Sequence, residues 1–152
     1  MLMPPTHSPE RPYAQTLTAL RDKGLRPTRQ RLALGRLLFE GGNRHVTAEA
    51  LHGEAARAGV RVSLATVYNT LHQFTDAGLL RQVTVDSGCT YFDTNLEDHH
   101  HFYHVDQARL EDIPGQGPSG AIEVHGLPAV PDGARLERVE VIVRVTGSNK
   151  ST

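Results

Sequence analysis

The sequence predicts an α+β chain, helix-rich in its first half and strand-rich in its second. Three observations carry this expectation. Apolar residues recur at intervals of three and four up to Phe74, in stretches bracketed by capping residues and glycines. Residues 80–85 then alternate and are followed by Asp86, Ser87 and Gly88, which have turn chemistry. Finally, Val139, Val141, Val143 and Val145 form a late ladder of period two.

Residues 1–12 contain four prolines and little that packs, and they read as a mobile tail. A first helix carries Leu17 and Leu20 and stops near Gly24. Pro27 and Thr28 open a second, through Phe39, with Leu34, Leu37 and Leu38 on one face. Thr47 caps a short third helix, with Glu49 in the first turn where the helix dipole favours a carboxylate, and Gly59 closes it. Ser63 caps the fourth, in which Leu64, Val67, Leu71 and Phe74 share a face, and Gly78 follows its end. The alternating run and Thr90, Tyr91 and Phe92 make a hairpin. Helices followed by a hairpin define a winged helix-turn-helix domain over residues 13–92, with a hinge at 93–98.

Beyond the hinge, residues 100–105 and 109–113 read as short strands. Residues 114–131 are rich in glycine and proline, with at most one helical turn, and residues 136–146 read as a longer strand. This small α/β domain, residues 99–146, holds too little core to be comfortable alone, which predicts that it pairs two copies of the chain. Residues 147–152 form a closing tail.

The chain has 152 residues and a formal net charge of −1. The charges are segregated: Arg21, Lys23, Arg26, Arg29, Arg31, Arg36, Arg44, Arg57, Arg61 and Arg81 fall in the first half, while acids gather from Asp86 to Asp98 and again at Asp106, Glu111 and Asp112. That asymmetry suggests a basic binding half and an acidic half with another task, although ordinary solvated charges would look similar. Cys89 is the only cysteine, so a disulfide framework and a four-thiolate zinc site within one chain are excluded. No apolar run is long enough to span a bilayer, and the start lacks the features of a secretory leader; the expectation is a cytoplasmic protein with no membrane partner.

A helix-turn-helix lays its last helix in the major groove, so the exposed residues at the start of that helix are the base-reading candidates. With Leu64, Val67 and Leu71 committed to the core, Ser63, Ala65, Thr66, Tyr68 and Asn69 face outward with His72. A methyl group and an aromatic ring suit thymine methyls, and Asn69 suits adenine, which points to A·T-rich double-stranded DNA. Arg26, Thr28 and Arg29, at the mouth of the second helix, are phosphate candidates, and either arginine could enter a narrow minor groove. Taken singly, Tyr68 reads more readily as a half-buried helix residue and Thr66 as a neutral surface one than as base contacts, and the arginines read as a solvated helix start.

Asp93, Asp98, His99, His100, His101, His104 and Asp112 lie within twenty residues. On a strand His99 and His101 point together while His100 points away. Two imidazoles with Asp93 and Asp112 make a mixed nitrogen and oxygen site for iron, manganese or zinc. His45, from the winged-helix half, is a candidate fifth ligand that would make binding close the two halves. An internal run of histidines is not a terminal tag, but it also reads as a solvated strand end.

Four stretches carry a resemblance: residues 24–31 (GLRPTRQR), 45–51 (HVTAEAL), 63–71 (SLATVYNTL) and the block 93–112. In that order they resemble the ferric uptake regulator family, over roughly residues 13–146. The triple histidine, the absence of thiolate pairs and the stretch 123–133 (EVHGLPAVPDG) look like the iron response regulator branch of alphaproteobacteria. The resemblance implies a homodimeric transcription regulator or repressor, with a regulatory metal site at His45, Asp93, His99, His101 and Asp112. The family's structural zinc site does not carry over: His104 and Gln107 stand where the first cysteine pair is expected, and the later pair is missing. A second inter-strand site also looks broken, with Val139 in place of a histidine. The branch resemblance further implies haem at His99, His100 and His101, relieving DNA binding. Some members carry a cysteine-proline haem motif; here Cys89 precedes threonine. A peroxide-sensing repressor of the same family is the alternative, since carboxylate-bound iron can oxidise a nearby histidine. A metalloenzyme is less favoured, because no base or nucleophile pairing is evident.

Overall fold

Side-chain caps set where three helices begin. A computed structural model describes residues 13–86, 88–115 and 122–147. The expected N-terminal tail, most of the closing tail, Ser87 of the hairpin turn and residues 116–121 lie outside these. The chain divides between Leu96 and Glu97 into two compact units.

The first unit contains α1 (Ala14–Asp22), α2 (Arg29–Phe39), β1 (His45–Val46), α3 (Ala48–Arg57), α4 (Leu64–Asp76), β2 (Arg81–Asp86) and β3 (Cys89–Asp93). Thr28, Thr47 and Ser63 each accept the backbone N–H three residues on, at 3.1–3.2 Å, satisfying donors that the first helical turn leaves orphaned. Gly78, with φ +82°, ends α4 in the left-handed conformation that glycine adopts without penalty. Leu20, Leu34, Leu38, Leu51, Val67, Leu71 and Phe74 are essentially inaccessible and form the core. Phe92 joins it from the sheet, whose antiparallel order is β1-β3-β2. Helices followed by a β-wing are the winged-helix architecture.

The second unit contains β4 (His101–His104), β5 (Arg109–Asp112) and β6 (Ile142–Val145). Their order is β5-β4-β6, with β4 antiparallel to β5 and parallel to β6. A 3-10 turn at Val105–Gln107 and Ala108 in the left-handed region turn β4 into β5. The expected strand over 136–146 is corrected to the four residues 142–145. The valine alternation runs further than the pairing, because β4, the only strand β6 bonds to among the described residues, offers just four partners. Residues 122–141 take no helix or strand, and Val124, Leu127, Val130 and Leu136 are exposed.

Candidate metal centre and nucleic-acid face

In the second unit, pairing places His101, the first residue of β4, opposite Asp112, the last of β5. His99 precedes His101 by two residues, and the two imidazoles meet edge to face with centroids 4.4 Å apart. The Nε2 atoms of both rings lie 3.3 Å from the same Asp112 oxygen, Oδ1. The potential ligand atoms of these three residues all fall within 4.8 Å of one another.

The His99 tautomer follows from its neighbour. Its Nδ1 lies 2.6 Å from the Glu97 carbonyl oxygen, which only accepts, so Nδ1 carries the proton and a neutral ring keeps its lone pair on Nε2. A lone pair aimed at a carboxylate repels it. A proton or a metal ion relieves the repulsion, and fixing one ring nitrogen to free the other is how proteins prepare a histidine ligand. His101 is buried, whereas the Asp112 side chain is 44% exposed, so the cluster has one open side.

His100 is turned elsewhere. Its Nδ1 accepts the Val141 N–H at 3.1 Å, and its carbonyl accepts from Ile113. A neutral ring accepting at Nδ1 holds its proton on Nε2, the reverse of His99. His100 thus holds the segment entering β6. His104 contacts Glu111 at 2.6 Å and Arg109 donates to Gln107 at 3.1 Å, so hydrogen bonds occupy the positions where the resemblance expects zinc thiolates.

In the first unit His45 and Asp93 are direct partners across β1 and β3. Asp93 is buried and its Oδ1 accepts the Asn95 N–H. The backbone carrying His45 is held by Arg44, which exchanges hydrogen bonds with Thr94 and places its guanidinium on both oxygens of Glu54 at 2.8–3.0 Å. Residue order alone counts Arg44 as one more basic charge; its bidentate pairing is a tertiary contact with no local signal.

The DNA-reading candidates gather at the start of α4. Ala65 and Asn69 are exposed. Thr66 is drawn into the cap, its Oγ1 accepting from the Ser63 hydroxyl at 2.9 Å. The Tyr68 hydroxyl donates to Glu49 Oε1 at 2.6 Å, lowering the Glu49 pKa and raising that of Tyr68. Arg26 is exposed on the approach to α2, Thr28 is its cap, and Arg29 is exposed as its first residue. Arg31 donates to Gln73 and to the Arg26 carbonyl, pinning this approach near the far end of α4. Ten residues, about 15 Å of helix, separate Ser63 from Gln73. The arginine candidates and the base-reading candidates therefore sit near different points along α4.

Fold and site together define a winged-helix chain with a metal-competent histidine and carboxylate cluster in its second unit. Residues 22–116 match the ferric uptake regulator family, and the chain belongs to it. The ferric uptake regulation protein of Shigella flexneri is 40% identical over 83 residues, 55% of this chain and 56% of that protein. The chain thus spans just over half the length of this curated relative. The fold is shared with the ferric uptake regulator of Pseudomonas aeruginosa solved with manganese, at a TM-score of 0.61 and 24% identity over 87% of this chain and 97% of that one. The Vibrio cholerae ferric uptake regulator superposes with a TM-score of 0.64 and 22% identity, over 86% and 98%. No helix among the described residues is long and apolar enough to cross a membrane.

Proposed function

We propose that this chain is a dimeric, DNA-binding transcription regulator of iron homeostasis whose operator binding is set by a divalent metal ion. The reading rests on one observation above others: two histidine Nε2 atoms face a single Asp112 oxygen, with the His99 lone pair directed there by its bond to Glu97. The ligands are His99, His101 and Asp112 from the second unit, with His45 and Asp93 from the first. Hard oxygen and imidazole donors without thiolate suit iron or manganese, and accept zinc in vitro. The family and the names of its relatives support metal-governed regulation rather than catalysis. The DNA-facing residues are Ala65, Tyr68 and Asn69 at bases and Arg26 and Arg29 at phosphates, with Ser63, Thr28 and Thr66 shaping the helix starts, on an A·T-rich site.

Fluorescence anisotropy with an A·T-rich duplex tests this, using apo, manganese-loaded, iron-loaded and haem-loaded protein. Tighter binding with manganese or iron supports metal activation. Equal binding in all four states would defeat it.

The run of three histidines favours a second reading, the iron response branch, in which haem at His99, His100 and His101 relieves DNA binding. Ligation by His100 requires giving up its bond to Val141, so haem binding should loosen β6. The same anisotropy series distinguishes relief from activation. The peroxide-sensor reading is tested by mass spectrometry of iron-loaded protein after peroxide; no added oxygen on His45 or His99 removes it.

A further inference from the structure

Within the first unit, Tyr68 is held at two points. Its hydroxyl donates to Glu49 Oε1 across the α3–α4 packing, at 2.6 Å. Its ring is stacked at 19° on His72, one turn further along α4, with centroids 6.5 Å apart. His72 in turn meets buried Phe92 of β3 edge to face at 5.6 Å. A carboxylate on the face that meets DNA repels phosphate and costs non-specific affinity. The helix dipole favours Glu49 in the first turn of α3 but does not require any contact with Tyr68.

We propose that Glu49 is a specificity-determining positioning residue: by accepting the Tyr68 hydroxyl it fixes the ring and withdraws the hydroxyl from base contact, so Tyr68 reads an apolar base edge. In the major groove that edge is the thymine methyl. A mobile tyrosine with a free hydroxyl would instead meet donors and acceptors on several bases and discriminate less. His72 supports the ring face and Phe92 supports His72. This inference rests on the DNA-binding reading and deepens it.

The test uses the full manganese-loaded chain and a duplex that the unaltered protein recovers from a random pool. Each thymine is replaced in turn by deoxyuridine, which removes only the methyl. At one or more positions the unaltered protein is expected to lose about fourfold in affinity, the worth of one methyl-sized group. Glu49→Gln keeps an acceptor oxygen and is expected to keep that penalty while binding random duplex more tightly. Glu49→Ala is expected to erase the penalty, and Tyr68→Phe, which keeps the ring but not its anchor, to match it. The double variant should then be no worse than either single one.

A full deoxyuridine penalty in both Glu49→Ala and Tyr68→Phe overturns the inference, as does an unaltered protein that binds its duplex with no thymine position sensitive. Failure to recover any duplex overturns the DNA-binding reading itself, which separates the two failures. Glu49 is exposed, and circular dichroism melts of each variant confirm that folded protein is compared.

Discussion

Asp112 engages two imidazoles through one oxygen, so it is the residue on which the cluster depends most. Asp112→Asn preserves shape but removes the negative charge and offers an amide donor where a cation is to sit. Manganese affinity by titration calorimetry should fall at least tenfold, since even residues that merely support a ligand are worth ten- to a hundredfold. Unchanged affinity would remove Asp112 from the ligand set. A pH dependence also belongs to this scale. Hydrogen bonding from Tyr68 lowers the Glu49 pKa below its usual 4.5, so the bond's contribution is present above that value and is lost as pH falls through the lowered one. The same bond raises Tyr68 above 10.0, so its contribution is full below 10.0 and lost as pH rises through the raised value. Ultraviolet titration should therefore show one of the four tyrosines ionising late. Glu49→Ala should return it to the ordinary range. Residue types were readable in advance here, because ligand chemistry is written in composition and strand alternation. The Glu49–Tyr68 pairing was not, because it joins residues nineteen apart on two helices.

Helix starts were legible for a physical reason: Thr28, Thr47 and Ser63 act within three residues of themselves, so their effect lies in a short window of sequence. Strands depend on partners far along the chain. Two-residue β1 carries no period to detect, yet it sets His45 opposite Asp93. The valine ladder overstates β6 because alternation records which faces differ and cannot say how many residues find a neighbour. Packing between helices is equally silent in sequence, and Gly35 shows it. A Cβ added at this buried position would stand 2.5 Å from Thr16 Cγ2 on α1, too close unless the Thr16 side chain or its helix shifts. Alanine gains about 1 kcal/mol in helix propensity over glycine. Overpacking a tight contact costs about 1–3 kcal/mol, and a contact this short belongs at the upper end. Gly35→Ala should therefore destabilise the first unit by about 1–2 kcal/mol in urea melts. Adding Thr16→Ser, which deletes the offending methyl, should recover most of the loss. A Gly35→Ala protein as stable as the unaltered one would show that α1 and α2 are not packed in this way.

At the scale of the whole molecule, the proposed ligands divide between units: His45 and Asp93 lie on adjacent strands of the first, and His99, His101 and Asp112 lie together in the second. Metal control of DNA binding requires that the ion's binding energy reach the unit carrying α4, because a ligand shifts only those equilibria whose states it distinguishes. An ion held by ligands from both units does this; an ion held by the second unit alone stabilises that unit and leaves the winged helix indifferent. Hydrogen exchange separates the cases. At a hundred times its dissociation constant, manganese stabilises the state that binds it by about 2.7 kcal/mol, close to a hundredfold slowing of any opening that releases the ion. With shared ligation, amides of β1 and β3 should slow along with those of β4 and β5. His45→Ala combined with Asp93→Ala should cancel the effect in β1 and β3 while leaving weaker protection around His99 and His101. Slowing confined to β4 and β5 in the unaltered protein would show that the ion belongs to the second unit alone, and the link from metal to operator would then have to run through pairing of two chains.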